Sequence, residues 1–185
     1  MKNYFILLII IIFFSSCVKI TKIEPQSSAV LETHVTITPL MRISSPAFQN
    51  GTQIPSKYTC DGNNINPALN IEKIPLGTKS LVLIVDDPDV QAGVWTHWVL
   101  YNIPIDVNIT ENTIVGLKGK NSWGNTLYRG PCPPSGTHRY FFKLYAVDKE
   151  LAFSEPPTKN LILSAINGHV IETAELTGTY SKNLK

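Results

Sequence analysis

Residues 79–87 read KSLVLIVDD, a nearly continuous run of β-branched and aliphatic side chains that ends in two aspartates. A short apolar run without period-two alternation is typical of a β-strand that is buried on both faces. Two further runs have a similar character: WTHWVLYNI at 95–103, which Pro104 ends, and RYFFKLYAVD at 139–148. The three runs predict the central strands of one β-sheet.

The remaining chain is punctuated by Gly, Pro, Asn and Asp, as expected of a mainly β protein. Only Thr158–Asn167, TKNLILSAIN, has a helical pattern, with two prolines before it and Gly168 after it as a stop signal. Residues 169–180, HVIETAELTGTY, alternate enough to be a strand or a second helix, and we favour the strand. The Gly- and Pro-rich segment Gly116–His138 predicts a long, ordered, functional loop, because such loops are uncommon in compact domains.

Composition excludes several classes of protein. Of the 185 residues, 43% are hydrophobic and 16% are charged, which provides a core and argues against disorder. The 16 Lys and Arg against 14 Asp and Glu leave no excess of positive charge, so nucleic acid is not an expected partner. The sequence contains no HExxH, CxxC, EF-hand, GxSxG, P-loop or GxGxxG motif, so we predict neither a metal nor a cofactor.

The first 16 residues, MKNYFILLIIIIFFSS, have the pattern of a targeting segment. The apolar run Tyr4–Phe14 is shorter than the roughly 20 residues that cross a bilayer, so it fits a signal-peptide h-region. Ser15 and Ser16 directly before Cys17 resemble a bacterial lipoprotein signal, in which the cysteine is lipidated and becomes the mature N-terminus. The alternative is an ordinary secretory signal followed by an unmodified cysteine.

We therefore expect a lipoprotein signal peptide over 1–16, a lipidated cysteine and flexible tether over 17–38, and one domain over 39–185. Within the tether, His34–Thr38 has an alternative interpretation as an edge strand. The expected location is the bacterial cell envelope, with a lipid anchor in a membrane. Cys60 and Cys132 then form an even pair in an exported protein, and we predict that they are bonded. Two separate thiols are the alternative.

Polar residues cluster where the predicted strands meet their loops. Asp86, Asp87 and Asp89 follow the first run, His97 lies early in the second, and His138 directly precedes the third. A fourth cluster is Gly130–Pro134 in the long loop. Binding groups are commonly placed at such positions on a rigid sheet. Each histidine alone could equally be a satisfied core residue, and the three aspartates are also typical of a turn.

Period-two alternation indicates which of these side chains share a face. It places Trp95, His97, Val99 and Tyr101 on one face of the second strand. It also aligns His138, Tyr140 and Phe142 on the third. The two histidines are thus expected to converge and to donate to a phosphate or carboxylate, while Asp87 fixes a tautomer or charge.

Seven motifs follow one another in a characteristic order. They are SPAF (45–48), YTCDG (58–62), DDPD (86–89), WTHWVLYNIP (95–104), RGPCPP (129–134), HRYFFKLYAVD (138–148), and NGH with AELTGTY (within 167–180). Together they closely resemble the phosphatidylethanolamine-binding protein family, in its bacterial Raf kinase inhibitor-like branch. The resemblance covers Arg42–Tyr180.

The resemblance implies a β-sandwich-like fold with a large antiparallel sheet, a smaller sheet and few short helices. It also implies a small anion-binding pocket rather than a catalytic centre. The pocket residues carried over by motif are Asp87, Pro88, Trp95, His97, Gly130, Pro131, His138 and Tyr140. Family members often read DPDAP, whereas Val90 and Gln91 follow Asp89 here, so a proline that would stiffen this turn is missing.

The leading hypothesis is a non-enzymatic, membrane-tethered protein that binds a small anion or a phosphorylated or phospholipid head group through His97 and His138. If both imidazoles must be cationic, affinity should weaken as pH rises through their pKa, about 6.5 unperturbed and higher beside carboxylates. One alternative is a protein-interaction module that inhibits a protease or kinase. Another is a hydrolase that uses Asp87 and His97 with a bound water.

Overall fold

The structure is a computed structural model that describes residues 40–182. The expectations for the signal peptide, for lipidation of Cys17, for the tether and for a strand over His34–Thr38 lie outside the described residues. Within the described range the chain forms seven strands, a short 3-10 turn at Ser56–Tyr58 and one α-helix. The elements are β1 (Arg42–Ser44), β2 (Asn70–Glu72), β3 (Ser80–Asp87), β4 (Trp95–Ile103), β5 (Leu117–Lys118), β6 (Thr137–Val147), α1 (Lys159–Ile166) and β7 (Val170–Ser181).

The strands form two antiparallel sheets. The larger has the order β5-β4-β3-β6-β7, and the smaller pairs β1 with β2. The three runs identified from sequence are the three central strands, and the favoured strand interpretation of residues 169–180 is confirmed by β7. The mainly β fold with a large and a small sheet and few helices is therefore confirmed.

Strand β3 divides the interior into two cores, because every one of its residues is buried. Leu83 and Val85 pack on one face with Trp98, Phe142 and the smaller sheet. The alternate residues, such as Val82 and Ile84, pack on the other face with the helix. This confirms the prediction of a strand that is buried on both faces.

Helix α1 covers the second core and begins where the sequence predicts. The Thr158 side chain caps it by accepting a hydrogen bond from the Leu161 N–H, at 3.4 Å, and Gly168 follows it at a φ of +77°. Ile162 and Ile166 are its buried residues. No helix within residues 40–182 is long and apolar enough to cross a membrane.

A β-bulge near the start of β4 changes the predicted faces of this strand. Val85 pairs with Trp98 but Asp86 pairs with Thr96, so His97 is an extra residue between two regular pairs. His97 therefore contacts Tyr140 in the first core, whereas Val99 packs in the second core with the helix. The prediction that Trp95, His97, Val99 and Tyr101 share one face is wrong, because strict alternation does not survive a bulge.

The two-core arrangement predicts that truncating two neighbouring phenylalanines of β6 to alanine lowers the free energy of unfolding by unequal amounts. Phe142→Ala should lower the free energy of unfolding by about 3–5 kcal/mol, because Phe142 is fully buried and its ring lies 5.7 Å from that of Phe48. Phe141→Ala is the matched control: this half-buried residue on the opposite face should cost about 1 kcal/mol. Denaturant unfolding measures both, and equal losses would contradict the assignment of the faces.

Candidate functional site

A cavity of about 210 Å³ lies where β3 ends and β4 begins. Its polar side chains are Asp87 and His97, and two of its walls are the indole rings of Trp95 and Trp123. The remaining lining residues are Val90, Cys132, Pro133 and Pro134. The volume is smaller than the pockets that hold drug-sized ligands, so the cavity suits a small chemical group.

His97 is fixed within an aromatic cluster. Its ring meets Trp123 at 5.1 Å and Tyr140 at 5.2 Å between centroids, both nearly perpendicular. The Nδ1 atom lies 2.6 Å from the Arg129 carbonyl oxygen, which can only accept, so Nδ1 carries the proton and donates it. Burial lowers the pKa of His97 below its ordinary value. The neutral ring therefore leaves Nε2 as a hydrogen-bond acceptor for a ligand.

Asp87 pairs with the other histidine. Its Oδ2 lies 2.7 Å from His138 Nδ1, and both side chains are almost fully buried. This hydrogen bond occupies His138 Nδ1 and fixes the orientation of the ring. Asp87 therefore has the orienting role that the sequence analysis expected of it, with His138 as its partner. The predicted hydrolytic pair of Asp87 and His97 is not hydrogen-bonded within the part of the chain that the structure describes.

The turn after β3 uses the aspartates structurally as well. Asp87 Oδ1 accepts the Asp89 N–H at 2.8 Å, which is the turn chemistry offered as the alternative reading of this cluster. Asp89 in turn accepts from Arg139 through the backbone N–H, Nε and Nη2. The hydrogen bonds from Arg139 lower the pKa of Asp89 to about 2. This ion pair fixes Asp89 in the same turn that lacks the proline expected from the resemblance, and Val90 of this turn lines the cavity.

Strand β6 lies behind the residues that line the cavity. It begins at Thr137, two residues before the predicted strand, so His138 lies within the strand and on the same face as Tyr140 and Phe142. The Tyr140 hydroxyl is buried without a hydrogen-bond partner among the described residues. Burial, and then the nearby Asp87 carboxylate, raise the pKa of Tyr140, so its proton is retained.

The loop over 129–134 is held against the chain near Cys60. A disulfide joins Cys60 to Cys132 with a Cα–Cα distance of 5.4 Å, which confirms the predicted pairing. The Cys60 N–H donates to the Pro131 carbonyl, and the Gly130 N–H donates to Asn64 Oδ1 at 2.7 Å. A Cβ atom at Gly130 would collide with the Tyr58 carbonyl oxygen. Gly130 and Pro131 thus anchor this loop.

The eight predicted site residues occupy three kinds of position. Asp87, Trp95 and His97 line the cavity. His138 and Tyr140 lie directly behind these residues, in contact with Asp87 and His97 respectively. The other three, Pro88, Gly130 and Pro131, belong to the turn and loop that frame the cavity and are not among its lining residues.

Sequence reasoning missed Trp123 as a wall of the cavity. Its ring also meets that of Trp95 at 5.4 Å, and the Arg129 guanidinium lies 4.8 Å from its centroid. The available signal was a tryptophan within a Gly- and Asn-rich loop, because this large side chain is highly buried on average. Val90 was also missed, whereas Cys132, Pro133 and Pro134 belong to the candidate cluster over 130–134 but were not among the residues carried over by motif. Within residues 40–182, no three His, Cys, Asp or Glu side chains form a metal-binding group.

The model of a family described as phosphatidylethanolamine-binding protein matches residues 44–181 of this chain. The chain belongs to the phosphatidylethanolamine-binding protein family. A relative described as a UPF0098 protein, from Methanothermobacter thermautotrophicus, is 45% identical over 150 residues, which cover 77% of this chain and 99% of the relative. A UPF0098 protein from Chlamydia trachomatis is also 45% identical, over 77% of this chain and all of its own length.

Two solved structures show the same fold. One is a putative phosphatidylethanolamine-binding protein homologue from Chlamydia trachomatis, with a TM-score of 0.75 and 44% identity over 78% of this chain and 99% of its own. The other is Escherichia coli YbcL, described as a new member of the mammalian family, with a TM-score of 0.72 and 29% identity over 78% of this chain and 100% of its own. The family resemblance of the motifs is therefore confirmed.

The buried His97 predicts a specific protonation state and pH dependence. Its NMR titration should have a midpoint below 6.5, with the proton on Nδ1 in the neutral form. Below pH 6.5 the unfolded chain then binds more protons at His97 than the folded chain does. The contribution of His97 to the free energy of unfolding therefore decreases as the pH is lowered. His97→Gln should flatten that part of the stability–pH curve. A midpoint above 6.5 would contradict the burial argument.

Proposed function

We propose that this protein is a non-enzymatic, membrane-tethered binding protein that holds a small anionic group, a phosphate or phosphorylated head group, in the cavity at His97. The observation that carries the proposal is a fixed, buried imidazole at the cavity, held between the Trp123 and Tyr140 rings, whose Nε2 has no hydrogen-bond partner within residues 40–182. Family membership supports a binding role. The phospholipid named in the family description is one source of such a head group, and a free phosphorylated metabolite is another.

The electrostatics favour a ligand that brings its own proton. Burial keeps His97 neutral, so its Nε2 accepts a hydrogen bond and repels an oxyanion that carries no proton. A phosphate monoester has a second pKa of about 6, so most of it carries a P–OH below that pH and a fraction of it still does near neutral pH. That hydroxyl can donate to Nε2, or transfer its proton there and leave an imidazolium beside a dianion. Phosphates therefore suit this site better than carboxylates do.

The Asp87 carboxylate does not oppose this arrangement. Both of its oxygens already accept hydrogen bonds, from the Asp89 N–H and from His138 Nδ1. Its charge is thus satisfied within the protein, and its role in this proposal is to hold His138 and the turn. The proposal therefore assigns direct contact to His97 and a positioning role to Asp87 and His138, which refines the expectation that both histidines touch the anion.

Phosphoethanolamine and inorganic phosphate should bind the purified full chain, in detergent, about tenfold more tightly at pH 5.5 than at pH 8, because the complex holds one more shared proton at Nε2. Isothermal titration calorimetry measures the affinity, and thermal shift provides a second readout because a ligand of the folded state raises its stability. Acetate should bind more weakly than either phosphate.

His97→Gln should abolish this binding, and His169→Gln is the matched control, since His169 lies on the surface against Asp148. Phosphoethanolamine that binds His97→Gln as tightly as the unchanged chain would refute the proposed contact. An affinity that is flat between pH 5.5 and 8 would refute the shared proton. Vesicles with and without phosphatidylethanolamine distinguish a lipid head group from a free phosphate as the source.

We further propose that Cys17 is lipidated and tethers this domain to a bacterial envelope membrane, on the basis of the Ser15-Ser16-Cys17 sequence after the apolar run. Cells that express the chain and are fed radiolabelled palmitate should yield a labelled, membrane-associated protein whose first residue is Cys17. Cys17→Ser should lose the label, while Cys60→Ser should keep it. A mature N-terminus at another residue, or no label, would refute the tether.

A further inference from the structure

A second cavity lies on the opposite side of β3 and β4 from the His97 cavity. This groove has a volume of about 410 Å³, against about 210 Å³ for the His97 cavity. Lys120, Asn121 and Ser122 form one wall, and Thr158, Lys159 and Asn160 form the other. Val94 and Thr96 complete it. We call it the Lys120 groove.

The walls of the Lys120 groove are fixed by backbone hydrogen bonds. The Lys120 N–H donates to the Pro157 carbonyl at 2.7 Å, which joins the two walls directly. The Ser122 N–H donates to the Thr96 carbonyl at 2.9 Å, and the Thr96 N–H donates back to Ser122 Oγ at 2.8 Å. A preformed cavity of this kind lowers the entropy cost of binding a ligand.

The charge around the Lys120 groove is positive. Lys120 forms no ion pair with any residue in the described part of the chain. Lys159 Nζ lies 3.0 Å from the buried Asp86 carboxylate, which also has Lys143 at 3.6 Å. Asp86 thus pairs with two lysines, of which only Lys159 lines the groove, and no acidic side chain is among the lining residues within 40–182, so the Lys120 charge is not neutralised by a lining residue. An anionic ligand matches this balance.

The neutral groups of the Lys120 groove indicate the rest of the ligand. The Ser122 and Thr158 hydroxyl oxygens accept from backbone N–H groups, which leaves their O–H groups free to donate. The Asn160 side-chain amide has no hydrogen-bond partner among the described residues. Among the described residues no aromatic side chain lines the groove, and the only aliphatic lining residue there is the half-exposed Val94. A nucleobase would lack a stacking surface here, and an acyl chain would lack an apolar wall.

We propose that the Lys120 groove is a binding site for a phosphorylated polyol, such as a sugar phosphate. Lys120 Nζ binds the phosphate through a charge-assisted hydrogen bond, and Ser122, Thr158 and Asn160 bind the hydroxyl groups. The proposal does not depend on anion binding at His97. The two cavities have different lining residues, although these come from the same two segments of the chain. Thr96 and Ser122 line the groove, whereas the adjacent Trp95 and Trp123 line the His97 cavity.

Titration of the purified full chain with glucose 6-phosphate tests the proposal. We expect saturable binding by calorimetry at a site that persists in His97→Gln, with glucose not binding and inorganic phosphate binding to that site at least tenfold more weakly. Lys120→Gln should weaken glucose 6-phosphate binding about tenfold or more, as expected from the loss of one charge-assisted hydrogen bond. The fold should persist, because Lys120 contacts the other wall through its backbone. Thermal unfolding of the variant checks this.

Two further variants make the result specific. Lys118→Gln is the matched control, since Lys118 is exposed on β5 and does not line the groove. If Lys118→Gln weakens binding as much as Lys120→Gln, the effect is general surface charge and the proposal fails. His97→Gln should leave this binding unchanged. If it abolishes binding while Lys120→Gln does not, the sugar phosphate occupies the His97 cavity, and the groove proposal is overturned while the proposed function stands. No binding at all also overturns it.

Discussion

Asp86 and Asp87 are consecutive carboxylates at the end of a strand that is buried on both faces, with exposures of only 3% and 2%. An unpaired carboxylate at such positions is strongly unfavourable, so each must find partners inside the protein. Because alternate residues of a strand face opposite sides, the two find them in different cores. Asp86 accepts from Thr96 and Lys159, while Asp87 pairs with His138. Pairing these two charges therefore brings the N-terminal ends of β4, α1 and β6 to the C-terminal end of β3, where both cavities lie.

A second constraint positions the loop that closes the His97 cavity. The Cys60–Cys132 disulfide joins residues that are 72 positions apart, and a crosslink over such a distance removes about 4 kcal/mol of chain entropy from the unfolded state by the loop-closure relation. The hydrogen bonds at Gly130 and Pro131 then fix the loop in register. As a result the Arg129 carbonyl lies where it accepts from His97 Nδ1. The tautomer of His97 is thus set by the carbonyl of Arg129 in this loop, and the Arg129 N–H in turn donates to the His97 carbonyl on β4.

The elements that depend on local sequence pattern were predictable from sequence. The contacts that form when a loop folds back onto a distant strand were not. The central strands and the helix after Thr158 carry clear signals of burial, alternation and capping. The bulge at His97 has no such signal, because an extra residue in a strand is visible only against its pairing partner. Trp123 reaches the cavity because the 119–125 segment folds back on β4, which single-sequence patterning does not reveal. Gly130 was predicted to line the pocket, but its missing side chain serves close packing against Tyr58 instead.

The division of partners between the two histidines bears on what the site can do. A histidine that acts as a strong base is commonly oriented by a carboxylate, which stabilises the imidazolium form. Here the carboxylate orients His138, behind the cavity, while the cavity histidine is oriented by a neutral carbonyl oxygen. A carbonyl fixes the ring but stabilises the imidazolium less than a full negative charge does, and burial opposes ionisation further. His97 is therefore a weak base in a rigid position. This supports the proposal that His97 binds a protonated phosphate rather than activates a water molecule.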